Sequence, residues 1–208
     1  VPLFQRSFPE TKCIVQTDPP AADVSSGAID YQTPSGELGR WLRRDLAAFP
    51  IRSSYLKADP GRQAAIRKKY RNGNPALMVG VSWSSINADI GGEKSLSLMD
   101  LRFLAEIPGI RLVDLQYGDT ADELRIFEEA TGTAILHDDE IDQIADLDGF
   151  AAQVAALDLV VTISNTTAHL AGALGVDTFV MLNTVPLSCW LGEREDSPWY
   201  PSARLFRQ

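Results

Sequence analysis

DLVVTISNTTAHLAGALGVDTFVML, residues 158–182, decides the fold. DLVVTIS (158–164) is a short apolar run rich in β-branched residues, which favour the extended backbone. AHLAGALG then reads as a small-residue helix that stops at Gly175, and DTFVML (177–182) is a second apolar run. A strand, a helix and another strand in so little sequence make a βαβ unit, whose strands lie parallel. Both runs are apolar throughout instead of alternating, as in parallel strands covered on both faces.

The same pattern extends outward. ALMVGVS (76–82), RLVDLQ (111–116) and TAIL (133–136) complete a set of five strand segments. Ser97 with Asp100 and Thr120 with Glu123 have the spacing of capping boxes at helix starts. Gly109, Gly132 and Gly175 stand where helices should end, because glycine takes the left-handed conformation cheaply. The expectation is an α/β fold, a doubly wound parallel sheet of five or six strands from about Ala76 onward. Upstream, KCIVQ (12–16) reads as a short buried strand, and GELGRWLRRDLAA (36–48) as a helix with Leu38, Trp41, Leu42 and Leu46 on one face. A further helix starts after Pro60 and closes near Gly73. The organisation expected is residues 1–56 as a remnant of another domain, 57–75 as linker and helix, and 76–208 as the sheet domain. The start at Val1 reads as a cut made inside a larger protein.

With 208 residues, 45% hydrophobic and 23% charged, the chain is a folded one. No apolar run approaches the roughly 20 residues of a membrane helix. Two cysteines and two histidines supply neither a disulfide framework nor a zinc site, which fits a reducing cytoplasmic setting. The net charge of -9 opposes the phosphate neutralisation that nucleic-acid binding needs. Charge is also segregated: Asp114–Asp148 holds twelve acids against Arg125 alone, and Arg40–Asn72 holds ten basic residues against Asp45 and Asp59. The basic stretch reads as a solvated helix face.

In an open parallel sheet, ligands bind beyond the carboxyl ends of the strands. Asn165, Thr166 and Thr167 fall on the first turn of a helix there, where free amides and two hydroxyls suit a phosphate; the same residue types also serve as a plain helix cap. His169, one turn on, is either a phosphate donor or a packed structural group. Lys94 follows Gly91 and Gly92 and is either a diphosphate clamp on a mobile loop or an ordinary exposed lysine. Asp142, in an acidic loop with His137, Asp138, Asp139 and Glu140, is placed to accept hydrogen bonds from a ribose, although a solvated loop has the same composition; no metal site is expected. No dinucleotide glycine motif, phosphate-binding P-loop or nucleophile elbow occurs. The residues alone define an anion or nucleotide site on a doubly wound domain.

VGVSW, VDLQYGD, DEID, LDGFAAQVAALDLVVTISNTTAHLAGALGV and EREDSPWYPSARLFRQ, in this order, resemble the C-terminal glycosyltransferase region of bacterial tetratricopeptide-repeat proteins. That region is similar to the heptosyltransferase and O-linked N-acetylglucosamine transferase group of the GT-B superfamily. The resemblance implies the Rossmann-like C-terminal half of such an enzyme, which binds a nucleotide-sugar donor, with UDP favoured, and needs no other cofactor. It implies transfer to a hydroxyl of a protein or glycan, with no nucleic-acid partner; the alternative is a non-catalytic nucleotide-sugar-binding or protein-interaction module. Asn165, Thr166 and Thr167 match the helix start holding the diphosphate, Ser82, Trp83 and Ser84 the turn facing it, and Gln116 and Tyr117 the second-strand loop. His169 matches a histidine of the helix motif. The catalytic base is expected upstream, so none is assigned, and this fragment is expected to be inactive alone. The chain ends on what resembles a last strand, and WLGERED departs from the tryptophan-rich WRWL usual there.

Overall fold

The computed structural model describes residues 1–25, 29–87, 89, 91–184 and 186–208. Five strands form one sheet: β1 (Leu77–Ser82), β2 (Ile110–Asp114), β3 (Leu159–Ile163), β4 (Thr178–Leu182) and β5 (Ala203–Arg207). Their order is β2-β1-β3-β4-β5 and every pairing is parallel. The longer helices are α4 (Pro60–Arg71), α6 (Ala121–Thr131), α7 (Leu147–Ala155) and α8 (Thr166–Leu174). Short ones are α1 (Pro2–Ser7), α2 (Ala22–Ser25), α3 (Leu38–Leu42) and α5 (Gly91–Lys94), with 3-10 turns at Ser35–Glu37, Leu46–Ala48, Leu98–Glu106 and Ser188–Trp190. This is the expected mixed α/β architecture.

Both sheet faces are covered, which is why the strands are apolar throughout. On one face Met78, Val113 and Val160 pack with Tyr70 of α4, Phe150 and Val154 of α7, and Leu170 of α8. On the other, Val79, Val81, Leu112 and Val161 pack with Leu101 and Leu104 of the 3-10 stretch and Phe127 of α6. Gly80 is required at the centre of β1: a Cβ there would lie 2.4 Å from Leu115 and 2.6 Å from Leu157. Gly132 and Gly175 are left-handed at the ends of α6 and α8 as expected, and Asn72 does the same for α4, whereas the Leu98–Glu106 turn already ends at Ile107 and Gly109 is a positive-φ turn residue beyond it. Among the described residues no helix is long and apolar enough to cross a membrane.

Four local expectations are corrected. TAIL (133–136) makes one isolated bridge, Val113 to Leu136, because its next residue, His137, turns its ring onto Asp114 and ends the pairing; the fifth strand is β5 at the C-terminus. KCIVQ is exposed coil, with Val15 62% accessible and no strand partner among the described residues. The 36–48 helix shrinks to α3 between two 3-10 turns. Its apolar face, including Trp41 and Leu42, has no core beneath it, and so short an isolated helix gains too little to extend. The Ser97–Asp100 capping box forms, whereas Thr120 gives its hydroxyl to the buried Asp114 carboxylate, the stronger acceptor, and makes no cap.

The segregated charges meet, so α4 is a docking face and not merely a solvated one. Arg62 binds Asp146, and Lys69 binds Asp138 and Glu140. Arg67 and Arg71 both hold Asp158, which also accepts the Met78 amide at the start of β1. The N-terminal helix is tied in similarly: Leu3 is buried in the core under α7, and Arg6 forks onto Asp148.

Burial alone would raise the Asp158 carboxyl, but the Met78 amide and the two guanidiniums outweigh it and hold it below the usual carboxylate range. A carboxylate depressed in the fold stabilises above its unfolded pKa of about 4, and that stabilisation is lost as pH falls toward the folded value. Asp158→Asn should therefore cost about 1–3 kcal/mol at neutral pH, read by urea unfolding, with the gap to wild type closing on acidification below about pH 4.

Candidate functional site

The carboxyl ends of β1 and β3 meet around a buried polar knot. Asn165 follows β3 in extended conformation and caps α8, its Oδ1 accepting the Ala168 amide at 3.3 Å. The same oxygen lies 3.1 Å from the Thr162 hydroxyl, and Nδ2 donates to Ser82 Oγ at 2.8 Å. Gln116, beyond β2, completes the knot: its Oε1 accepts from Ser82 Oγ, Trp83 N and Ser84 N at 3.1, 3.0 and 2.9 Å. Gln116 is held by its own amide, which donates to Asp114. Burial pushes the Asp114 carboxyl up, against hydrogen bonds from Thr120, Gln116 and His137.

In front of this knot lies a cleft of about 570 Å³ lined by Ser85, Lys94, Tyr117, Ser164, Asn165, Thr166 and His169, with Ile144, Leu147, Phe150 and Leu187 as apolar wall. Lys94 is the sole charged side chain among these, although the chain carries nine more acids than bases. It makes no ion pair among the described residues. Among the described residues the amides of Thr166 and Thr167 open α8 without partners, so the helix start adds positive potential beside the cleft. A hollow of the same volume lies at the opposite ends of β3 and β4, but its Arg67 and Asp158 are paired with each other.

Of the residues singled out in the sequence, Lys94, Tyr117, Asn165, Thr166 and His169 line the cleft together. Ser82 and Gln116 stand behind it, fully buried, and shape it through Asn165 and the backbone of Ser84. Trp83 points into the core and donates to Glu123, so its indole is not presented to a ligand. Thr167 is buried with its hydroxyl unpartnered, and Thr166 is exposed. Asp142 does not line the cleft. Its Oδ1 accepts the Ile144 and Ala145 amides, which hold the carboxyl low, and the neighbouring Gln143 and Ile144 reach the cleft instead. The glycine loop is built rather than loose at Gly91, where a Cβ would lie 2.5 Å from the Ser85 carbonyl. Tyr117 braces it, accepting from Ile86 N and donating to Ser84 O.

Two contributors were not legible as site residues. Trp190 stacks on the His169 ring at 4.9 Å and 14°, and its indole N–H reaches Ser164 Oγ at 2.8 Å. Tyr200 Oη lies 3.0 Å from His169 Nδ1. The tryptophan and the WYP segment are visible in the sequence, but only β5 pairing with β4 brings them over α8. Among the described residues no three His, Cys, Asp or Glu side chains converge as a metal site; Asp138, in the acidic loop, is taken by Lys69 and Tyr70.

No family model matches the chain. It is 35% identical over 217 residues to Protein FlbA of Caulobacter vibrioides (strain ATCC 19089 / CIP 103742 / CB 15), covering 99% of this chain and 36% of that protein. The chain thus spans about a third of the relative's length. Among solved structures, a glycosyl transferase family 9 protein from Veillonella parvula DSM 2008 superposes with a TM-score of 0.54 at 12% identity, over 75% of this chain and 43% of that one. The ADP-heptose LPS heptosyltransferase II of E. coli gives 0.54 at 16% identity, over 80% and 50%. The five-stranded parallel sheet is therefore one that sugar transferases use.

Gln116→Leu should strand two backbone amides and the Ser82 hydroxyl in the interior. The expected cost is about 2–4 kcal/mol in urea unfolding, on the scale of buried donors left unpaired. A loss below about 0.5 kcal/mol would mean that the knot is not structural.

Proposed function

We propose that the chain is the donor-binding part of a glycosyltransferase, holding a nucleotide diphosphate sugar with its phosphates on the first turn of α8. The observation that carries this reading is the cleft itself: Thr166, at the first turn of α8, and an unpaired Lys94 line one hollow that no carboxylate enters, among the described residues of an acidic chain. Such a place attracts a phosphate. The apolar wall of Ile144, Leu147 and Phe150 suits the flat face of a base, and uridine is the base proposed. The fold shared with two sugar transferases supports the class of reaction.

In the transfer, an acceptor hydroxyl oxygen bonds the anomeric carbon as the carbon–oxygen bond to the diphosphate breaks, with inversion. The electron pair leaves on the diphosphate. Charge building there strengthens its hydrogen bonds to the α8 amides and its attraction to Lys94, so these groups favour the transition state over the ground state, with no divalent metal. A base from outside this chain takes the acceptor proton, and the chain alone binds without turning over.

Thr166→Pro offers a clean test. Proline is tolerated at a first helical position, and the extended Asn165 before it is compatible, so the substitution deletes one amide and one hydroxyl while keeping the helix. Calorimetry with UDP, ADP and their hexose conjugates should show uridine ligands preferred and the variant weaker by about 1–3 kcal/mol, at unchanged stability. Equal affinity in the variant would reduce the motif to a cap. In the whole protein, Lys94→Ala should lower turnover more than donor affinity; equal losses would make the lysine a plain binding contact.

A further inference from the structure

His169 has a better-defined chemistry than a general phosphate contact. Its Nδ1 sits 3.0 Å from Tyr200 Oη, and its ring lies flat against Trp190. Trp190 is in turn fixed through its indole to Ser164. Tyr200 is packed closely on Gly172, where a Cβ would lie 2.5 Å from its ring. The imidazole is therefore held on one edge, one face and one hydrogen bond. Among the described residues Nε2, on the far side of the ring, makes no hydrogen bond and is not among the buried unpartnered atoms, and His169 lines the cleft.

We propose that His169 presents Nε2 to the cleft as a neutral hydrogen-bond acceptor for a hydroxyl of the bound nucleotide sugar, with Tyr200 as the positioning residue that keeps the proton on Nδ1. This rests on the donor-binding reading and narrows it: the histidine faces a ribose or sugar hydroxyl, not a phosphate oxygen, which would need a donor. The Tyr200 hydroxyl is an acceptor as well as a donor, so it can take a proton held on Nδ1. Every charged or titratable group around the ring acts in the same sense. Burial first, then Lys94 on α5, lower the His169 pKa; Cys189, on the turn beside Trp190, has its thiol pushed up by burial; and burial, with Tyr55 adding to it, carries the Tyr200 hydroxyl far above its ordinary value. Among the described residues no carboxylate lines the cleft to stabilise an imidazolium.

The first measurement needs no ligand. The chain has two histidines, so ¹⁵N-histidine labelling with a His137→Gln variant for assignment isolates His169. At neutral pH the protonated nitrogen should be Nδ1, and Tyr200→Phe should shift the proton population toward Nε2 while the fold is retained. A proton on Nε2 in the wild type, or no change in Tyr200→Phe, overturns the proposal. The second measurement is affinity against pH for a uridine diphosphate hexose, whose diphosphate diester has no proton to lose in the histidine range. A neutral acceptor predicts affinity falling by about tenfold per pH unit below the His169 pKa, absent in His169→Gln. Affinity rising on acidification would make His169 a phosphate donor instead. A 2′-deoxyribose analogue abolishes the slope if the ribose hydroxyl is the partner and leaves it intact if the hexose is. If Nδ1 carries the proton but no nucleotide binds at any pH, the donor-binding reading falls and the hydroxyl partner falls with it, while the tautomer stands.

Discussion

The contact on which the site depends is the one between Asn165 and Ser82, 2.8 Å long and buried between β1 and β3. Through it the cap of α8, the end of β1 and the Gln116 loop become a single piece. Asn165 spends its oxygen on the helix and its nitrogen on the neighbouring strand, and its oxygen takes the Ala168 amide, leaving those of Thr166 and Thr167 without a partner among the described residues. An aspartate could cap the helix equally well but, being acceptor-only, could not donate across to β1. The cap and the anion site, which look like competing explanations of the same motif, are here two consequences of one residue.

The second constraint is electrostatic. An acidic chain that binds an anion must neutralise its carboxylates or keep them out of the site, and α4 pairs Asp138, Asp146 and Asp158, none of which lines the cleft. Charge segregation in the sequence thus reflects folding and, indirectly, the potential of the cleft. Lys94 gains importance from that segregation, since no acid lines the cleft beside it among the described residues.

The sheet was legible because buried parallel strands and small-residue helices leave a dense apolar pattern, and residues 158–182 carry it with little ambiguity. Asn165, Thr166 and Lys94 were legible because a strand-to-helix turn and a glycine pair mark the carboxyl edge. What could not be read depends on tertiary competition. TAIL has strand composition, but its pairing stops where His137 meets Asp114; Thr120 has cap spacing, but a buried carboxylate takes its hydroxyl; Trp83 matches, by the resemblance, the turn facing a diphosphate, but the core claims its indole. Trp190 and Tyr200 reach His169 only through the β4–β5 pairing, which no local pattern announces. Residues 36–48 carry a helical stripe whose outcome is decided by the absence of a core beneath them.

The central claim is that the first turn of α8 is an anion site and not only a capped helix start. The most direct measurement is a backbone amide titration of the ¹⁵N-labelled protein with uridine diphosphate. The account predicts the largest, saturable shifts at the Thr166 and Thr167 amides, with accompanying changes at Lys94 and Tyr117. Shifts centred on Arg67 and Asp158 at the opposite end of the sheet, or none at Thr166 and Thr167 at saturation, would contradict it.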